Sequence, residues 1–200
     1  MRGWGLTFAL VMAMAGAAAG PAAAQGRWKQ PNDLFSINVP AGWSINEPEP
    51  NTWHIRPTAG REAGTGSSGC SLRLSETLST LFRPQADLER MLASPRFIET
   101  WSQVVAERVV DSRVLYTTDR TIHGLRYLHI FATGRLRGSR SAPPPAERGT
   151  VMLALALAPG QMWRMACVVA ADHTEPPTGT VDAMLGSLRI HDTTGATNAR

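Results

Sequence analysis

The sequence predicts an α+β domain, an antiparallel β-sheet with helices packed on its faces. Three observations lead there. Leu125–Ala171 carries three strand-like segments in succession, and further strand-like segments precede it from Leu34 onward. Between the two groups lie two helical segments with apolar stripes. Runs of strands broken by one helical layer describe α+β organisation, not the strand–helix alternation of a parallel sheet.

In chain order, Met1–Ala24 reads as a cleaved secretory signal peptide. Arg2 supplies the positive start, Leu6–Ala15 an apolar run, and Ala22-Ala23-Ala24 a small-residue cleavage site before Gln25. That run is too short to span a bilayer. The expectation is export to the periplasm, one α+β domain over residues 25–190, and a flexible tail at 191–200. Leu34–Val39 is a strand with Phe35, Ile37 and Val39 on one face, ended by Pro40-Ala41-Gly42. Trp43 and Ile45 begin a second strand, Glu47–Asn51 turns it, and Trp53 and Ile55 lie on the return. Glu47 and Glu49 sit in a Pro-interrupted turn where both carboxylates stay solvated, which does not suit paired acid–base work.

Thr58–Gly69 is a connector. Its Gly64–Gly69 run lacks the Gly-Lys-Ser/Thr of a phosphate cradle and leads into a strand, Cys70–Leu74, instead of a helix. Pro84–Ala93 and Pro95–Glu107 are the helical layer. Leu88, Met91 and Leu92 share a face of the first. Ser94 caps the second, Pro95 occupies its first position, and Phe97, Ile98, Trp101, Val104 and Val105 form a stripe expected to be buried.

Val109–Tyr116 is the next strand, with Thr117–Arg120 leading into the meander. Leu125–Arg137 places Leu128, Ile130, Ala132 and Leu136 on one face. Thr150–Ala158 alternates Val151, Leu153, Leu155 and Leu157 against Met152, Ala154 and Ala156, apolar on both faces, as in a strand covered on both sides. Pro159-Gly160 suits a type II turn, after which Gln161–Ala171 sets Trp163, Met165, Cys167 and Val169 at spacing two. Gly138–Gly149 reads as an exposed loop, and Thr180–Leu188 as a closing helix with Val181, Met184, Leu185 and Leu188 on one side.

The chain is 43% hydrophobic and 18% charged, which excludes both a disordered and a membrane-embedded class. Only Lys29 is lysine; the other basic residues are arginine, and the net charge is +4. One local concentration, Arg135, Arg137, Arg140 and Arg148, is a candidate patch for an anionic partner such as lipid head groups. An exported chain without aromatics interleaved there does not suit nucleic acid. The five histidines show no metal-ligand spacing, so no metal, cofactor or catalytic residue is assigned. His123 and His129, if on one strand, stand about 20 Å apart, and His173 beside Asp172 points away from it.

The segment Phe35-Ser36-Ile37-Asn38-Val39-Pro40-Ala41-Gly42-Trp43, a strand running into Pro-x-Gly-Trp, resembles the PsbP-like superfamily, which includes the DcrB-type bacterial envelope proteins. The element order that follows is similar to that family's, as is Leu185–Ile190 to its terminal helix and short strand. The resemblance implies an α/β/α sandwich, members being mostly accessory, assembly or chaperone-like binding proteins without a common catalytic centre.

Cys70 and Cys167, the only cysteines, complete the reading. Export and an even count favour a disulfide between them, and both point to an apolar layer; two buried free thiols are the competing arrangement. The function expected is a non-catalytic periplasmic accessory protein binding an envelope protein or an apolar or anionic ligand. The alternative is a small hydrolase with a Ser/His/Asp set assembled in space, using His129 or His173.

Overall fold

The computed structural model describes residues 24–58, 68–136, 148–170 and 178–191. Among these residues ten strands and three α-helices follow in order: β1 (Ala24–Lys29), β2 (Phe35–Pro40), β3 (Trp43–Glu49), β4 (Thr52–Pro57), β5 (Gly69–Glu76), α1 (Gln85–Leu92), α2 (Pro95–Ala106), β6 (Val109–Ile122), β7 (Leu125–Leu136), β8 (Arg148–Ala158), β9 (Gln161–Ala170), α3 (Thr178–Ser187) and β10 (Arg189–Ile190). A seven-stranded antiparallel sheet has the order β3-β4-β5-β9-β8-β7-β6, and a separate three-stranded sheet the order β1-β2-β10.

The two faces of the large sheet bury different sets. On one, Trp53, Leu72, Trp163, Met165 and Ala156 pack with Phe35, Ile37 and Val39 of β2, with Val181, Met184 and Leu185 of α3, and with Leu188 just after that helix. Phe35 is the hinge of that layer, edge-on to Trp53 at 4.6 Å and to Trp163 at 5.7 Å. On the other face, Leu128, Ile130, Val151, Leu153 and Leu155 pack beneath Leu88 and Leu92 of α1 and Val105 of α2. Helices, large sheet, then α3 with the small sheet make three layers, and β8 is covered on both sides as its double apolar alternation requires.

Local chemistry sets the boundaries. Ser94 Oγ accepts from Phe97 N–H at 3.4 Å with Pro95 opening α2. Gly160, at φ +73, closes the β8–β9 hairpin, where Ala158 pairs with Gln161. The β6–β7 hairpin turns on His123 and Gly124, both at positive φ, with Ile122 opposite Leu125.

Several expectations are corrected. Thr117–Arg120 is not a lead-in but part of the 14-residue β6, because Thr117–Arg120 pair residue for residue with Ile130–Tyr127. His123 therefore occupies a turn and shares no strand with His129. Arg148 and Gly149 belong to β8, not to the preceding loop. In the α2 stripe only Val105 is buried; Phe97, Ile98, Trp101 and Val104 are half-buried. The cause is position, since α2 lies mainly over β6 and β7 at one margin of the sheet. β1 has no counterpart in the sequence reading and begins at Ala24, beside the expected cleavage site. His191 is no free end: its N–H donates to Leu34 O at 2.9 Å, while 192–200 lie outside the described residues. The expected signal segment up to residue 23 lies outside them as well.

Candidate functional site

Among the described residues α1 and α2 lie over β6–β8, and the same face of β4, β5 and β9 carries half-buried and exposed side chains, with Met162 and Ala166 of β9 at the margin of the helix-side core. Strand alternation places His54 and Arg56 (β4), Ser71 and Arg73 (β5), and Arg164, Ala166 and Val168 (β9) on that face, since Trp53, Ile55, Cys70, Leu72, Trp163, Met165 and Cys167 face the opposite core. Where this strip meets α2 there is a groove of about 460 Å³. Its inner wall is apolar, from Val104, Val105, Leu136, Val151, Leu153 and Val168; His54, Arg56, Arg108 and Arg164 supply the polar part. The half-buried α2 stripe thus owes part of its exposure to walling this groove with Val104.

The electrostatics are one-sided. Among the described residues no Asp or Glu lines the groove, and Arg56, Arg73, Arg108 and Arg164 make none of the ion pairs. Arg56 Nη2 instead donates to His54 Nδ1 at 3.1 Å. Arg73 stands directly opposite Arg164 across β5 and β9, an arrangement that costs stability in a sheet. Burial, and then the charges of Arg73 and Arg108, push the Arg164 guanidinium below its ordinary value. A half-buried guanidinium among like charges is a place where an anion is stabilised.

The residues singled out from sequence are distributed differently. Arg135 and Arg148 are direct cross-strand partners on β7 and β8, both exposed. Arg137 and Arg140 lie outside the described residues, as does His173. Cys70 and Cys167 are opposed across β5 and β9, with Cα atoms 4.0 Å apart and their sulfurs bonded. This disulfide lies at the middle of the large sheet, beneath the groove. His129 is buried on the opposite face, 1% exposed, and its Nε2 has no hydrogen-bond partner among the described residues.

A serine–histidine–aspartate arrangement does exist, at residues the sequence reading passed over. Ser36 Oγ lies 3.1 Å from His191 Nε2, and His191 Nδ1 lies 2.9 Å from Asp33 Oδ1. Ser36 is 2% exposed, however, and its Oγ accepts from Arg27 Nε at 3.0 Å and Nη2 at 2.7 Å. Both lone pairs are thereby engaged and no space is left for a substrate carbon at Oγ. The set ties β1, β2 and β10 together: Ser36 pairs with Lys29 on one side and Arg189 on the other. Only the pairing of β10 with β2 brings residues 33, 36 and 191 together, so no spacing in the sequence could have signalled it.

No family model matches the chain, and no curated protein matches it. Solved structures do. Cyanobacterial PsbP (CyanoP) from Synechocystis sp. PCC 6803 aligns with a TM-score of 0.50 at 16% identity, over 87% of this chain and 96% of that one. The Saccharomyces cerevisiae Ran-binding protein Mog1p aligns with a TM-score of 0.52 at 11% identity, over 84% and 96%. A Bacteroides thetaiotaomicron protein gives 0.53 at 10% identity, over 83% of this chain and 48% of that one, so here the match spans about half of the other molecule. At these identities the likeness is one of backbone architecture. It agrees with the resemblance carried by Phe35–Trp43 and the element order: this chain has the PsbP-like fold, an α+β sandwich on an antiparallel sheet.

Proposed function

We propose that this chain is an exported, non-catalytic accessory protein that binds an envelope partner or an anionic ligand on the open face of its large sheet. The observation that carries the reading is the groove beside α2, where Arg56, Arg108 and Arg164 converge over an apolar wall without a carboxylate among the described lining residues. Concave, partly apolar sites with a few convergent polar groups are the usual form of binding sites. The Arg135–Arg148 pair is a weaker candidate, being two exposed charges on the sheet. Export is supported by the signal-like residues 1–24 and by the Cys70–Cys167 disulfide, a bond that persists in oxidising compartments. Neighbours of this fold with binding roles, such as the Ran-binding Mog1p, are consistent with such a role.

The test is site-specific photocrosslinking in periplasm-exporting cells. A crosslinker at Ser71, on the open face, should capture a defined species that is lost when Arg108 and Arg164 are both changed to Gln. The same crosslinker at Glu99, an exposed position on α2, should capture nothing comparable. Equal labelling from both positions, or labelling indifferent to the two arginines, removes the proposal. N-terminal sequencing of the exported chain should begin at Gln25.

A further inference from the structure

We infer that the groove beside α2 is a site for an amphiphilic anion, a medium-length acyl or alkyl chain carrying a carboxylate or phosphate head. The inference rests on the binding site proposed above and goes further by naming what the site takes. The groove has two chemically distinct parts. Its depth reaches Val105, Val151 and Leu153, which are buried members of the helix-side core, so an apolar chain entering it would meet the same layer that holds α2 to the sheet. Its rim holds Arg56, Arg108 and Arg164, none of them in an ion pair with a described residue.

Charge complementarity decides the head group. Exposed Arg73 stands opposite half-buried Arg164 with no described counter-charge on either, and a single carboxylate or phosphate seated on Arg164 in the groove would relieve that repulsion with charge-assisted, forked hydrogen bonds. Shape decides the rest of the ligand. From Arg164 to Val168 the strand advances about 13 Å, four residues of extended chain, enough for a medium-length chain lying along β9. The volume of about 460 Å³ falls in the range of small-molecule sites, about 300–1,000 Å³. A slot running between a helix and a strand suits a narrow chain better than the broad, flat contact of a folded partner. A neutral amphiphile leaves the arginines unmatched; a small inorganic anion leaves the apolar wall open to water. The ligand therefore needs both ends.

The experiment is calorimetric titration of the mature protein with dodecanoate, dodecyl phosphate and dodecanol below their aggregation concentrations. Both anions should bind with a stoichiometry of one, and dodecanol about tenfold more weakly or worse, the loss expected for one charge-assisted contact. The tighter of the two anions distinguishes a free acid from a lipid phosphate as the source. Arg164→Gln should weaken both anions about tenfold and leave dodecanol unchanged. Val168→Trp, which fills the slot from an exposed strand position, should abolish all three. Melting curves confirm that each variant is folded. Absence of anion binding by the folded wild type, dodecanol binding as tightly as dodecanoate, or full binding by Val168→Trp overturns the inference. If the amphiphiles fail while the Ser71 crosslink remains dependent on Arg108 and Arg164, the ligand class falls and the binding site stands; if both fail, both fall.

Discussion

Replacing His129 with Leu should remove a large part of the acid sensitivity of this fold. His129 is 1% exposed, edge-on to Tyr127 and Phe131 at 6.4 and 6.3 Å, and its Nε2 lacks a partner among the described residues. Burial, and then the charge of Arg120, lower its pKa from 6.5 to about 4, with Asp182 opposing. Arg120 of β6 and Asp182 of α3 form an ion pair at 3.4 Å and are the charged groups that act on the ring. The unfolded chain thus takes up a proton near pH 6.5 that the folded chain refuses until about pH 4. Stability is complete above pH 6.5 and declines as the pH falls towards 4. A displacement of about 2.5 units corresponds to about 3 kcal/mol in full, of which about 2 kcal/mol is lost by pH 5. That is a substantial part of a typical domain's stability of about 5–15 kcal/mol. The assay is urea unfolding at pH 7.5 and pH 5, followed by tryptophan fluorescence, since Trp53 and Trp163 are buried. Other titrating groups contribute equally to both proteins, so the difference between the two pH-induced losses isolates His129. Wild type and His129→Leu losing stability in parallel, within about 0.5 kcal/mol, would refute the reasoning.

Three further outcomes are expected. Converting both Cys70 and Cys167 to Ala opens a loop of 97 positions, worth about 4–5 kcal/mol in the chain-entropy model, so Tm should fall by about 10–15 °C; a fall of only about 1–2 °C contradicts it. Gly149→Ala should destabilise by about 1–3 kcal/mol, because a Cβ there would meet Val169 O at 2.6 Å and Leu136 Cδ1 at 2.7 Å; a variant as stable as wild type shows the strands can separate at no cost. Ser36→Ala removes the acceptor of two Arg27 hydrogen bonds and the partner of His191, costing about 1–2 kcal/mol. Amide exchange at Arg189–His191 should accelerate, and unchanged exchange there means that Ser36 does not hold β10.

Much of the fold is legible in the chain. The alternation in Thr150–Ala158, apolar on both sides, marks a doubly covered strand, and β8 is one. The Ser94-Pro95 pair marks the start of α2, and Pro159-Gly160 a two-residue hairpin. These signals are local: a cap, a turn and a period of two are written in neighbouring residues. The α2 stripe misleads for a physical reason, because periodicity reports which side of a helix is apolar and not how far the sheet beneath it extends. Arg164 likewise looks like one more scattered arginine, since nothing in Trp163-Arg164-Met165 says that Arg73 stands opposite it.

Local patterning in the chain therefore carries most of the inventory: which segments other than β1 are strands or helices, where they turn, and a resemblance that implied the sandwich. Tertiary structure alone decided pairing. Antiparallel register between β5 and β9, 97 positions apart at the disulfide, places the Cys70–Cys167 bond expected from the even cysteine count on one face and sets Arg73 against Arg164 on the other. The docking of α2 over β6 and β7 forms, among the described residues, a groove with Arg56, Arg108 and Arg164 at its rim. The return of β10 to β2 closes Asp33, Ser36 and His191 into one hydrogen-bonded set. Local preferences extend over a few residues, whereas these contacts depend on which distant strands share hydrogen bonds, a choice set by how the two apolar faces are buried together.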